Sequence, residues 1–396
     1  MPPEACPKTA RSKCRHLPFT TTWWDAHMQL REVALIFLRL GTFAFGGPVA
    51  HTAMMRDELV RRRGWVTDER FVDLMGATNL IPGPNSTELA IHLGHERAKW
   101  KGLVLAGVCF IVPAALMVTG LAWLHAEKGG TPQFEAVLRG VVPAVIGIIA
   151  HALVGLSRTV LKTPWLIALA VVALAAYFVG VNELIVLFGG AAVAGLAHVV
   201  RRRLHDPGDR GASFLVAPLL VGTDTGTLAE LFITMLKIGA VLYGSGYVLL
   251  AFLEGDFVDR LGWITQEQLL DAVSIGQVTP GPVFTTATFV GYLVAGWWGA
   301  FLATVAIFLP SFVFVGLLTR ITDRIRSARW SAVMLDGLNA TALALMAGVT
   351  WQLGRTALVD VATVAIAVAS LGLLLTTRLN SAWLIAGGAA LGLLLR

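Results

Sequence analysis

The chain has 396 residues, of which 56% are hydrophobic and only 14% charged, and its mean hydropathy is +0.71. A soluble domain carries about 25% charged residues, so this composition excludes an ordinary water-soluble enzyme and a disordered chain and predicts an all-α polytopic membrane protein. The net charge of +6 does not signal nucleic acid, because the basic residues stand in short runs beside apolar spans, as the positive-inside rule expects.

Residues 1–29 form a polar tail without the apolar core of a cleaved signal. Cys6, Cys14 and His16 lie in it, and with Cys109 the three cysteines give neither a disulfide framework nor a metal spacing. The first half, 30–200, then offers candidate membrane helices at 31–50, 103–125, 134–156, 164–181 and 183–200. A charged linker comes next at 201–227, opening on Arg201, Arg202 and Arg203. The second half, 228–396, offers helices at 228–250, 297–319, 330–353, 358–376 and 381–395. Most of these approach the ~20 residues that cross a bilayer.

Two stretches, 65–100 and 263–296, fit no spanning template. Each carries a Pro-Gly-Pro: Pro82, Gly83 and Pro84 in the first, Pro280, Gly281 and Pro282 in the second. Proline removes a backbone donor and clashes with the preceding turn. Each stretch therefore reads as a re-entrant hairpin of two short helices. Broken backbone at membrane depth survives only against protein or a water-filled cavity.

The two halves align with each other. At a separation of 198 residues Glu32 matches Glu230, Gly41 matches Gly239, Gly64-Trp65 matches Gly262-Trp263, and the two Pro-Gly-Pro motifs coincide. After one deletion the separation is 197, so that Gly102 matches Gly299, Pro113 matches Pro310 and Gly140 matches Gly337. Charge orients the copies. Arg56, Arg61 and Arg63 become Glu254, Asp259 and Leu261. Arg97, Lys99 and Lys101 precede the third segment of the first copy, whereas Arg320, Arg324, Arg326 and Arg329 come after that segment in the second. Lys and Arg mark the cytoplasmic side, so the pattern predicts two inverted repeats, each of about five transmembrane helices plus one hairpin. It also places the linker inside and both termini outside, although Lys8, Arg11, Lys13 and Arg15 in the tail argue the other way.

Inverted repeats with discontinuous helices are the architecture of secondary transporters, whose substrate sites lie near the midplane. Short-helix N-termini aimed there favour an anion. The expected substrate-binding set is Asn79, Asn85, Ser86 and Thr87 in the first copy and Gln277, Thr279, Thr285 and Thr286 in the second. These hydroxyl and amide groups suit a tetrahedral oxyanion. Capped proline kinks are the bland alternative for the same residues. Arg39 and Lys237 occupy equivalent places in the first helix of each copy and are expected to balance a dianion; snorkelling to the interface is the alternative. Glu88 and His92, spaced i,i+4 on one face, are the proton-coupling candidates, and the second copy has Thr286 and Val290 there.

Phe45-Gly46-Gly47-Pro48 with Ala50-His51, Gly64-Trp65, and Ile81-Pro82-Gly83-Pro84-Asn85-Ser86-Thr87 resemble the chromate ion transporter family. So do Gly244-Ser245-Gly246-Tyr247, Gln277-Val278-Thr279-Pro280-Gly281-Pro282 and Gly291-Tyr292. The resemblance covers both halves in the family's long two-domain form. It implies a multi-pass protein of the inner membrane that exports chromate, confers chromate resistance, and is driven by the proton motive force, with sulfate as a competing anion. The residues themselves do not specify chromium. A sulfate importer, a channel and a membrane-embedded enzyme remain as readings of the fold. The last would need a metal or acid–base cluster, of which the sequence holds no convincing example. There is no GxxxxGK[ST] loop for ATP. The reading calls for no cofactor and no metal; its partners are the anion, protons, the lipid bilayer and, in a homodimer, a second copy.

Overall fold

The computed structural model describes residues 23–44, 47–78, 81–205, 227–243, 248–325, 329–377 and 379–394. All regular elements among them are helices. The first half comprises α1 (Trp23–Phe43), α2 (Gly47–Arg56) running into a π-helical turn (Asp57–Arg62), α3 (Asp68–Thr78), α4 (Asn85–Lys128), α5 (Pro132–Val160), α6 (Pro164–Phe178) and α7 (Glu183–His205). The second repeats the order with α8 (Thr227–Val241), α9 (Leu249–Leu253) and a π-helical turn (Glu254–Arg260), α10 (Gln266–Val278), α11 (Thr286–Ile325), α12 (Arg329–Ala357), α13 (Val361–Thr376) and α14 (Ser381–Leu394). Among the described residues four helices are long and apolar enough to cross a bilayer, in α4, α5, α11 and α12.

The expected spanning helix at 31–50 is two pieces. α1 starts at Trp23, inside the stretch read as tail, and stops at Phe43, two residues before the Phe-Gly-Gly-Pro run. The second half breaks in the same way after Val241. α6, α13 and α14, at 15, 16 and 14 residues, fall short of the ~20 residues of a straight crossing. Residues 206–226 of the linker lie outside the described residues.

The hairpins take the expected form, with one addition. After each Pro-Gly-Pro the chain runs back as a short arm, then reverses inside what is nominally one helix. In α4 the reversal is at Ala98 (φ −140°) and Lys99 (φ 51°). In α11 it is at Ala295 (φ −146°) and Gly296 (φ 59°). The antiparallel arms touch through backbone at Gly94 and Gly102, and again at Gly291 and Gly299, where no side chain fits. Two pairs of glycines in register thus make a contact that the 3.6-residue periodicity of each arm cannot reveal.

The halves interlock. α1 packs along α4 and α8 along α11, and α4 meets α11 at the centre. The terminal helices cross over: α13 and α14 pack on α5, whereas α6 and α7 pack on α12. Small residues allow these approaches, Gly140 against Gly388 and Gly392 on one side, Gly337 against Gly190 and Ala194 on the other. At the end of the molecule where α12 turns into α13, Arg139 of α5 donates to Asp360 at 2.5 Å. The Thr363 amide, aided by Arg139, holds the Asp360 carboxyl down to about 2, so that N-cap stays charged throughout the neutral range.

Candidate functional site

The candidate site grows from four interruptions of helix. Proline ends α3 and α10 and sets the start of the next helical segment. The Gly in each motif then takes a left-handed turn, Gly83 at φ 133° and Gly281 at φ 95°. Each turn is held by the first-helix break of the other half. Gly83 donates its N–H to the Leu242 carbonyl at 2.7 Å, and Gly281 donates to the Ala44 carbonyl at 3.0 Å. The carbonyls that α1 and α8 leave unpaired at their ends are thereby satisfied.

The long arms close over the turns. Ser311, after Pro310 of α11, lies against Gly83, and Ala114, after Pro113 of α4, lies against Gly281. Around Gly83 the environment is polar. Glu88 is fully buried, and its Oε1 accepts from Ser311 at 3.5 Å. Its Oε2 has no hydrogen-bond partner among the described residues, and neither do the buried Thr87 hydroxyl and His92 Nε2. Ser86 is buried beside them. His51 in α2 joins break to turn: Nε2 donates to the Ala44 carbonyl at 3.0 Å, which fixes the tautomer, and Nδ1 accepts from Ser86 at 3.3 Å. The motif containing His51 is visible in the sequence, but a single buried histidine gives no sign that it bridges both interruptions.

The second turn is drier. Thr285 and Thr286 are buried, and their hydroxyls donate to the carbonyls of Pro282 and Val283 at 2.8 and 2.9 Å. Thr279 donates back to Ile275 and Gly276 at 3.1 and 3.2 Å. Counted from the matched Gly94 and Gly291, Glu88 falls opposite Thr285 and His92 opposite Phe289; counted from Pro-Gly-Pro they fall opposite Thr286 and Val290. On either count the second half lacks the carboxyl and the imidazole. Asn85 and Gln277 are half-buried at the two turns. Asn79 lies outside the described residues, as do Phe45-Gly46 and residues 244–247 of the motifs.

The two expected cations have different surroundings. Arg39 is exposed, on the face of α1 that carries Leu35, Leu38 and Phe43. α1 buries the opposite face, with Val33, Phe37 and Leu40, and this apolar stripe turns Arg39 outward. Lys237 is tied to Asp256 at 2.7 Å, and Arg260 donates to the same carboxylate at 2.9 Å. This network borders a cavity of about 430 Å³ lined by Tyr177, Glu183, Asp256, Asp259, Arg260 and Gln352. The cation of Lys237 is therefore already met by a carboxylate. Among the described residues no cluster of three or more His, Cys, Asp or Glu is arranged to hold a metal.

The model of a family described as chromate transporter matches the chain twice, over residues 31–196 and 229–393. The chain belongs to the chromate transporter family. Both matches take in one Pro-Gly-Pro turn, one broken first helix and one reversal. The chain is 34% identical over 390 residues to the "Chromate transport protein" of Cupriavidus metallidurans, covering 95% of this chain and 96% of that one. It is 32% identical over 341 residues to the "Probable chromate transport protein" of Synechococcus elongatus, covering 84% and 87%. With the "Chromate transport protein" of Pseudomonas aeruginosa it shares 33% over 333 residues, 81% and 80% of the two chains. No solved structure matches the chain.

Proposed function

We propose that the protein is a secondary transporter that exports chromate across the inner membrane, driven by the proton motive force, and so confers chromate resistance. The observation that carries the reading is the reciprocal seating of Gly83 and Gly281 on the opposite half's break. It puts two helix interruptions, with their backbone donors, together in the core of a polytopic membrane protein, the arrangement in which carriers hold their substrates. Relatives that match most of the chain carry the name chromate transport protein.

In this reading the two halves, 30–200 and 228–396, are inverted repeats. The oxyanion is held at the turns by Asn85, Ser86 and Thr87 on one side and by Gln277, Thr279, Thr285 and Thr286 on the other, with Asn79 as a further candidate. A dehydrated dianion needs donors and compensating positive charge. Helix N-termini offer about half a charge each, and Glu88 and His92 set the charge beside the first turn. The anion crosses outward in exchange for a proton that crosses inward. The emptied carrier returns with Glu88 protonated, because a bare buried carboxylate at membrane depth is costly. It gives that proton up on the cytoplasmic side before the next turnover.

The test is transport of labelled chromate into everted vesicles containing the full-length protein. Chromate accumulates when the lumen is acid and stops accumulating when a protonophore collapses the gradient. Labelled sulfate, run in parallel, measures selectivity between two tetrahedral dianions. Absence of chromate flux in vesicles with correctly inserted protein overturns the reading.

A further inference from the structure

A part-buried titratable pair lies away from Glu88 and His92. His125, in the last turn of α4, places Nε2 3.7 Å from Oδ2 of Asp271 in α10. The imidazole is wedged between Phe134 of α5 and Phe289 of α11, with ring centroids 5.6 and 5.3 Å away. Its Nδ1 is buried and has no hydrogen-bond partner among the described residues. One turn deeper on the same face of α10, Ser274 is fully buried, and its hydroxyl also lacks a partner among those residues. An unmet hydroxyl in an apolar interior is destabilising. Position 274 matches Gly76 in the first half, so the fold does not require a hydroxyl there. From Ser274 the helix leads to Gln277, Thr279 and the second turn.

The two pairs sit on opposite sides of the turns. α4 passes the level of the turns at Ala114, which touches Gly281. His125 lies 11 residues further on, about 16 Å at 1.5 Å per residue. His92 lies in the short arm, which runs from the turn toward the reversal at Ala98 and so away from His125. The neighbouring elements carry the following charged groups. α10 adds Glu267 one turn before Asp271. α4 ends in the exposed Glu127 and Lys128, and α5 carries Glu135, Arg139 and Arg158. The π-helical turn carries Glu254, Asp256, Asp259 and Arg260, and α12 carries Arg329, Asp336 and Arg355. α14 carries none, and α11 faces the pair with Phe289.

We propose that His125 and Asp271 form the second proton station of the transporter, on the side of the turns opposite Glu88 and His92, through which the coupling proton enters or leaves. The inference rests on the proton-driven reading above and deepens it. The pair closes from 3.7 Å to hydrogen-bond distance; the imidazolium N–H bond then breaks, the Asp271 carboxylate gains an O–H bond, and the pair's net charge is unchanged. Ser274 then offers the next oxygen toward the turns.

The experiment uses everted vesicles with the full-length protein, Asp271→Asn, His125→Gln and Asp271→Glu, at matched amounts in the membrane. Two quantities are read with labelled chromate: counterflow at equal pH, and accumulation driven by an acid lumen. Neither residue is among those placed against the anion. The expected result is a tenfold or greater loss of driven accumulation in Asp271→Asn and His125→Gln, with counterflow within about twofold of wild type, and recovery of accumulation in Asp271→Glu. Wild-type accumulation in both neutral variants overturns the proposal. So does parallel loss of counterflow and accumulation, which marks a structural role. If the wild type performs counterflow but no driven accumulation, proton coupling and this proposal fall while chromate transport stands. If the wild type performs neither, the functional reading itself fails.

Discussion

The amide of Gly83 donates to the carbonyl of Leu242 at 2.7 Å, joining the turn of one half to the broken helix of the other. The bond needs the turn to be left-handed at Gly83, with φ 133°. A Cβ there meets Glu88 Oε1 and lies 2.8 Å from Ser311 Oγ. Gly83→Ala therefore combines backbone strain of about 1–3 kcal/mol with displacement of the Glu88 carboxyl. Gly281→Ala, at φ 95° with its Cβ 2.7 Å from the Ala114 Cβ, meets chiefly a methyl. Both variants are expected to lower the melting temperature of detergent-solubilised protein, and Gly83→Ala is expected to lose more transport. Equal transport in both sinks the distinction between a polar and a dry turn.

Lys99 holds φ 51° and ψ −142° at the reversal in α4, where the second half has Gly296 at φ 59° and ψ −145°. A side chain in that region costs about 1–3 kcal/mol, and Lys99 is exposed, so its side chain gives little back through packing. Lys99→Gly is expected to raise thermal stability. Gly296→Ala is expected to lower it by a similar amount. A destabilised Lys99→Gly protein would mean that the lysine's charge, near Arg97 and Lys101, matters more to insertion than its backbone strain does to folding.

Much of the fold is legible in the sequence because proline and glycine act locally. The two Pro-Gly-Pro turns, the hairpins and the matched glycines come from backbone rules that hold wherever those residues stand. The first-helix breaks are hidden, since Phe45-Gly46-Gly47-Pro48 sits inside an apolar run whose length alone fits a span. The exposure of Arg39 is hidden for a different reason: hydropathy says that a residue lies in a helix, but only packing says which face is turned inward. The crossing-over of α6 and α7 onto α12, and the pairing of His125 with Asp271, join residues far apart in the chain. No local pattern encodes either.

The surroundings of Arg39 and Lys237 make different predictions for two equivalent positions. Arg39→Gln is expected to leave chromate transport within about twofold of wild type, because the exposed guanidinium touches neither turn. Lys237→Gln leaves Asp256 with Arg260 alone, and removing one partner of a part-buried pair is destabilising. Its expected effect is a lower melting temperature with an unchanged apparent KM for chromate. A strongly raised KM in either variant would return that cation to the anion site.

Inversion of the halves is checked by labelling. Arg61 and Asp259 are exposed in matching π-helical turns. Single cysteines at these two positions, in a chain with Cys6, Cys14 and Cys109 replaced, are expected to react with an impermeant maleimide from opposite sides: position 61 from the cytoplasm, position 259 from the far side. Labelling of both from one side overturns the inverted arrangement.

Thr87 separates a structural hydroxyl from a binding one. The side chain is fully buried and its oxygen has no partner among the described residues. Valine matches its shape and removes the oxygen. If the hydroxyl serves only the fold, Thr87→Val relieves an unmet polar group and stabilises the protein by about 1–3 kcal/mol, with transport intact. If it donates to the anion, the same variant is as stable or more so, yet transports poorly, with apparent KM raised about tenfold, the loss of one hydrogen bond to a charged ligand. Thr285 is the control. Its hydroxyl already donates to the Pro282 carbonyl at 2.8 Å, which also accepts from the Thr285 amide at 3.0 Å, so Thr285→Val loses one internal hydrogen bond and is expected to cost stability more than affinity. Measuring melting temperature and chromate KM on both variants therefore resolves the question in a single comparison. The expected pattern is a stable, weak-binding Thr87→Val beside a less stable, near-normal Thr285→Val, and the reverse pattern would move the anion toward the second turn.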